Sequence, residues 1–211
     1  MTEAADAAVP TAIRRLDTAP AARLGRLVGV YDDLQTTLRC CERLVSMLGE
    51  QDVDEVGVEA LWTLALICYG RGFTADGEDA VLTEDDLTTQ VEGLPAGAPP
   101  APSADELVRR HRILLHLRDH HTDPSVNPRD TYTVGIAQND DGVVNAVAVT
   151  SVHAPELDET AVRQAGAMTL PLCAALDRRI GDLQRQILDD VRDTPKDQLE
   201  SMDLIEVAVG G

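Results

Sequence analysis

Apolar residues recur at steps of three or four along four stretches of the chain, and in one shorter region the period drops to two. From Ala21 the positions Leu24, Leu27, Tyr31, Leu34, Leu38, Cys41, Val45 and Leu48 form one stripe, closed by Gly49 where a left-handed cap is expected. A helix of about 28 residues is ~40 Å long, more than one small core requires, so part of this stripe is predicted to meet a second copy. A second helix is predicted from Asp54 to Gly72. Its centre, Leu61 to Tyr69, is apolar nearly all round, which marks it as the central buried helix. A third begins at Ser103, with Asp105 and Glu106 in its first turn, and stops at Asp123-Pro124. The last runs from Asp158 to Asp193 on a stripe from Val162 to Val191, with a kink expected at Pro171.

Between the third and last helices the alternating runs Thr131–Gln138 and Val143–His153 flank Asn139-Asp140-Asp141-Gly142, a β-hairpin signal. A lone hairpin is not stable, so it is expected to pack on the helices or to pair with another edge. Residues 74–102 read as loop, with one short helix opened by Thr83 and a Pro/Gly-rich linker after it. The acidic run Asp76 to Asp79 lacks the alternating ligands and closing glutamate of a calcium loop, so a solvated loop is expected. The expected fold class is mainly α: a helical bundle of about four long helices with one inserted antiparallel β-hairpin. Residues 1–19 form an N-terminal tail, flexible or a short flanking helix. Residues 20–195 form the helical domain, with its linker at 74–102 and its hairpin at 131–153. Residues 196–211 form a C-terminal tail, predicted to hold a helical turn and a short strand over Leu204–Val209.

Charge narrows the partners. The chain carries 37 acidic against 18 basic groups, a net −19, and Lys196 is its only lysine. Such a field repels nucleic acid, and one Phe, one Trp and three Tyr offer few platforms for stacked bases. DNA is not expected as a partner, and RNA or a nucleotide is disfavoured. No stretch reaches the ~18 consecutive apolar residues of a membrane span. The N-terminus lacks a basic start followed by an apolar run, so a soluble, cytoplasmic protein is expected. Cys40, Cys41, Cys68 and Cys173 show no CxxC spacing and fall in apolar helical patterns, as buried thiols do.

The third helix carries the candidate chemistry, because Ser103–Asn127 holds four of the five histidines. At 100° per residue Leu107, His111, Leu114, Arg118 and His121 share one arc, so Arg118 and His121 point inward with the apolar residues. A guanidinium there must find acceptors or a cleft. His116 and His120 lie on the far side at i, i+4, a spacing that can clamp a metal, but no third ligand sits at a motif distance. Arg109, Arg110 and Arg112 form a basic cluster expected to pair with acidic neighbours. Arg71, between Gly70 and Gly72, answers the dipole of the second helix's C-terminus.

Trp62, then Cys68-Tyr69-Gly70-Arg71-Gly72-Phe73, a Pro-rich linker, Arg118-Asp119-His120-His121, Ser125-Val126-Asn127-Pro128 and a hairpin follow one another in that order. That order resembles bacterial HEPN-like proteins, which carry an R-D-K-H-x-A-H-S-V-N run after a similar tryptophan helix. The resemblance covers roughly residues 55–155. It implies a helical bundle, often dimeric, and in many members a metal-independent ribonuclease built on Arg-polar-x(3–5)-His. Arg118 matches the arginine and Asp119 the polar residue, but positions 123–125 hold Asp123, Pro124 and Ser125, so the histidine that completes the acid–base pair is absent.

The function expected is therefore a non-catalytic HEPN-like interaction or regulatory protein acting as a homodimer, with a protein partner besides. The alternative is a metal-independent ribonuclease or nucleotide-binding enzyme whose site is rearranged around Arg118, Asp119, His120 and His121. Arg71, Arg112 and Asn127 are candidate ligand contacts. No metal or cofactor is expected.

Overall fold

The computed structural model describes residues 12–74, 80–92, 102–153 and 156–205. Its first helix, α1, spans Ala19–Leu48. The Thr18 hydroxyl accepts from Ala21 N at 3.3 Å, and Pro20 occupies the first turn, where its missing N–H costs nothing. The helix therefore takes in Ala19, which the apolar pattern left in the tail, and Pro20, ahead of the start expected at Ala21. At the far end Gly49 has φ −88°, an ordinary right-handed value. The expected left-handed cap is absent, and Gly49 N instead donates to Ser46 O at 3.3 Å.

Two helices flank α1. α2 spans Glu55–Arg71, its N-terminus capped by Asp54, which accepts from Gly57 N at 2.9 Å. α5 spans Glu159–Val191 behind Asp158, which accepts from Ala161 N at 2.7 Å. Leu34 and Leu44 of α1, Leu66 of α2, and Val162, Leu172 and Leu176 of α5 are fully enclosed. Thr37, buried in α1, reaches the Asp33 carbonyl at 3.1 Å in its own helix and the Ala65 carbonyl of α2 at 3.3 Å. The whole stripe from Leu24 to Leu48 lies in the core or packs against it. Much of the apolar surface of α1 is thus covered by α2 and α5, because α5 runs for 33 residues beside it, while Leu24, Tyr31, Leu38, Val45 and Leu48 remain partly exposed.

The centre of the bundle belongs to α1, not α2 as its apolar sequence indicates. α2 touches α1 on one side and α4 on another, which leaves Leu64 exposed. α3 (Glu84–Glu92) and α4 (Ala104–Thr122) complete that side, with Leu82 just before α3 and Leu87 within it both buried. α5 continues through Pro171 as one helix. The four cysteines are buried and free, as expected. Burial pushes Cys41 and Cys68 up to about 11, so both remain thiols at neutral pH.

The helical turn expected in the C-terminal tail forms, whereas the N-terminal segment differs from expectation. Residues 12–17 are neither helix nor loose tail. Arg14 bridges Leu204 in antiparallel fashion, Arg15 N donates to Asp203 O at 2.8 Å, and the Arg14 guanidinium donates to the Glu200 and Met202 carbonyls. The short helix α6 (Lys196–Glu200) supplies one of those carbonyls. Backbone groups of two short segments satisfy each other here, which residue pattern alone does not reveal. The run Asp76 to Asp79, most of the linker and the end of the predicted Leu204–Val209 strand lie outside the described residues.

The hairpin forms as predicted, from β1 (Asp130–Gln138) and β2 (Val144–His153). Gly142 takes φ +78° in the turn, which a side chain would resist, while Asn139 Oδ1 accepts from Val143 N at 2.8 Å. It does not pack on the helices. Every strand residue except Asp130 and Ala137 is exposed, on both faces.

Candidate functional site

Ser103 opens α4 by accepting from Glu106 N at 3.2 Å, and Asp123 ends it in an extended conformation, as a residue before proline must. One face of α4 lies on α2. His111 and Leu114 are buried, and Leu107, Arg118 and His121 are half-buried, while His116 and His120 are exposed. The inward arc predicted from the helical period is therefore the arc observed.

Each inward polar group is already engaged. Arg118 Nε and Nη2 donate to Asp119 Oδ1 at 2.9 and 2.6 Å, and Nη1 reaches the Gly70 carbonyl at 3.4 Å. Its stem crosses α2 at Gly70, where a Cβ would come within 2.4 Å of Arg118 Cδ. Glycine is what admits the arginine. His121 Nδ1 lies 3.1 Å from Thr63 Oγ1, and burial holds its imidazole below the usual histidine range. Thr63 and Gly70 are about 10 Å apart along α2, so Arg118 and His121 are anchored two turns from each other. His120 turns away and sets its ring edge-on to His116, with centroids 4.5 Å apart. Asp123 accepts from Ser125 N and Oγ at 2.8 and 2.6 Å, and these bonds hold its carboxyl below the usual range.

Acid–base chemistry needs two groups within about 3 Å of one reacting atom. Of the four residues proposed for catalysis, Arg118 and Asp119 bond each other, His121 bonds Thr63 and His120 meets His116 edge-on. The structure brings Arg118 and Asp119 together and leaves the histidines elsewhere. Among the described residues no group of three or more His, Cys, Asp or Glu side chains could hold a metal ion.

The three candidate ligand contacts are dispersed. Arg71, in the last turn of α2, pairs with Asp33 of α1 at 3.1 Å. Arg112 forms a two-pronged pair with Glu84 of α3 at 2.9 and 3.0 Å. Asn127 Oδ1 accepts from Arg129 N at 3.0 Å in the loop before β1. Arg109 and Arg110 both pair with Glu106. The arginines of the α4 cluster are thus all paired within the protein, Arg109 and Arg110 sharing one carboxylate, as the acidic neighbours predict.

Two features escaped sequence reasoning. The first is a buried trio in which the Tyr69 hydroxyl lies 2.9 Å from His111 Nδ1 and the Phe73 ring packs 4.3 Å from the imidazole. Burial lowers the His111 pKa and raises that of Tyr69, so both are neutral. The inward position of His111 is legible from the helical period, but its partner depends on how α2 and α4 are set against each other. The second is a groove of about 810 Å³ beside α5, lined by Tyr31, Leu87, Leu107, Met168, Leu170 and Pro171. None of the proposed site residues lines it. Its rim arginines, Arg110 and Arg163, are held by Glu106 and Glu159. The pattern offers only Leu170, exposed on an otherwise amphipathic helix, as a signal for it.

Replacing Arg118 by alanine removes stem packing over Gly70 and the bonds to Asp119. The carbonyl keeps a second partner, Phe73 N at 3.0 Å. A loss of about 1–2 kcal/mol is expected, measured by urea denaturation of the variant beside the wild type. Unchanged stability would mean that Arg118 contributes nothing to the fold.

Comparison with protein-family models, with curated proteins and with solved structures finds no match to this chain. Among the described residues no helix is long and apolar enough to cross a membrane.

Proposed function

We propose that the protein is a non-catalytic HEPN-like interaction or regulatory protein that acts as a homodimer. The observation that carries this is the closure of the arginine. Arg118 is bridged by the carboxylate next to it, and His111, the imidazole near enough to feel its charge, is buried against the Tyr69 hydroxyl. A ribonuclease of this kind needs a cation free to meet the scissile phosphate and a histidine to move the proton of the 2′-hydroxyl. Here the cation is paired, the expected histidine is replaced by Asp123-Pro124-Ser125, and a net charge of −19 opposes the approach of RNA. Arg109, Arg110 and Arg112 are paired as well, which leaves the α4 face poorly suited to a phosphate.

The test is direct. Purified protein incubated for hours with single-stranded RNA and with tRNA, without added metal, is expected to leave both intact. Cleavage abolished in both Arg118→Ala and His121→Ala would overturn the proposal and establish the rearranged-site enzyme in its place.

A further inference from the structure

The hairpin presents two unlike faces. Cross-strand partners share a face, and the register pairs Tyr132 with Ser151, Val134 with Val149 and Ile136 with Val147. After the bulge Gln138 meets Val144. One face therefore carries Tyr132, Val134, Ile136, Val144, Val147 and Val149, each between 51% and 70% exposed. The opposite face carries threonine, alanine and Gly135, with Val152 near the base. Water on both sides is unusual for a sheet whose one face is so apolar, because an antiparallel sheet commonly rests that face on a core. A two-stranded hairpin is also marginal without a cover.

We propose that this apolar face is covered by the same face of a second copy of the chain, the two hairpins stacking as a four-stranded, two-layer sandwich. The proposal rests on the homodimer stated above and moves its contact from the long helices to the hairpin. Three observations favour a second copy as the occupant. The first is charge: Thr131–Gln138 and Val143–Val152 contain no Asp, Glu, Lys or Arg, in a chain of net −19. Two copies repel across most of their surfaces but little across this one, whereas a basic partner would find only Asp130, at the base of the face and already engaged by Tyr132 and His153. The second is fit. Strands of nine and ten residues are about 30 Å long, and an identical hairpin covers an identical area at the ~10 Å spacing of stacked sheets. A two-fold axis requires such a self-complementary patch. The third is area: six side chains of this size, buried on each of two copies, remove on the order of 1,000 Å² from water, about the lower limit for a specific interface. The groove beside α5 is also apolar, but Arg110, Arg163 and Asp177 line it, so it lacks the uncharged character of the hairpin face.

The experiment is sedimentation equilibrium on the full chain. The wild type is expected at twice its 22.7 kDa mass at micromolar concentration. Val149→Lys and Val134→Lys each place a charge at the centre of the face and are expected to raise the dimer dissociation constant about 100-fold. Thr133→Lys, on the opposite face, should change it less than about threefold. The helical circular dichroism signal should be unaltered in all three, with any fall in melting temperature confined to the two variants that break the dimer. A wild-type dimer indifferent to Val149→Lys would overturn the hairpin contact and leave the homodimer standing. Open-ended oligomers that survive Val149→Lys would indicate edge-to-edge pairing and overturn it too. A wild-type monomer would overturn both the contact and the homodimer, whatever the outcome with RNA.

Discussion

Tyr69→Ala is expected to destabilise the protein by about 3–5 kcal/mol, a large share of the total for a chain of this size. The ring is 1% exposed, packs 5.2 Å from Phe73 by centroids, and fills the space where α2 meets α4. The variant loses this packing, and His111 Nδ1 loses its partner. Tyr69→Phe separates the two contributions. It keeps the ring and removes only the hydroxyl, so the imidazole nitrogen is left buried and unsatisfied at a cost of about 1–3 kcal/mol. Urea denaturation of the three proteins measures both differences. Equal stability of Tyr69→Phe and the wild type would mean that the 2.9 Å contact to His111 contributes nothing.

What the sequence discloses about this region follows from the range of each signal. The helical period is local, so the inward arc of α4 is legible, including the odd company of His111, Arg118 and His121. The identity of their partners is set by the relative shift of two helices far apart in sequence, and neither the Tyr69 hydroxyl nor the Thr63 hydroxyl announces itself. Gly70 is a related case. It reads as a loosened helix end, yet the structure uses its missing side chain to seat Arg118. The α1 stripe is legible as a stripe, but it does not state that two helices, α2 and α5, will flank it within one chain. The hairpin shows the same limit. Asn139 to Gly142 and the alternating runs fix its turn and strands, and the contrast of Val134 and Ile136 with Thr131 and Thr133 shows one apolar face. Whether that face meets a helix of its own chain is a tertiary matter, and here it does not.

Stability is expected to fall as the pH drops below about 6.5, the ordinary histidine value, with His111 as the chief cause. Burial holds its pKa down, and the nearby guanidinium groups of Arg112 and Arg118 act in the same direction against the opposing carboxylate of Glu84. His121 is shifted the same way, first by burial and then by His120 and Arg129, against Glu59. A folded-state value below the unfolded one means that the unfolded chain binds more protons between the two. Stability therefore rises with pH across that interval, is fully present above about 6.5, and is lost as the pH falls through the depressed value. The carboxylates of Glu84, Glu106 and Asp123, whose values are lowered by hydrogen bonds from Arg112, Arg110 and Ser125, lose their contribution only at more acid pH. His111→Gln keeps a polar group for the Tyr69 hydroxyl and cannot titrate. Urea denaturation at pH 7.5 and pH 5 should show a clear loss for the wild type and a smaller one for the variant, with the remainder assigned to His121. An identical pH dependence in the two proteins would remove His111 as the cause.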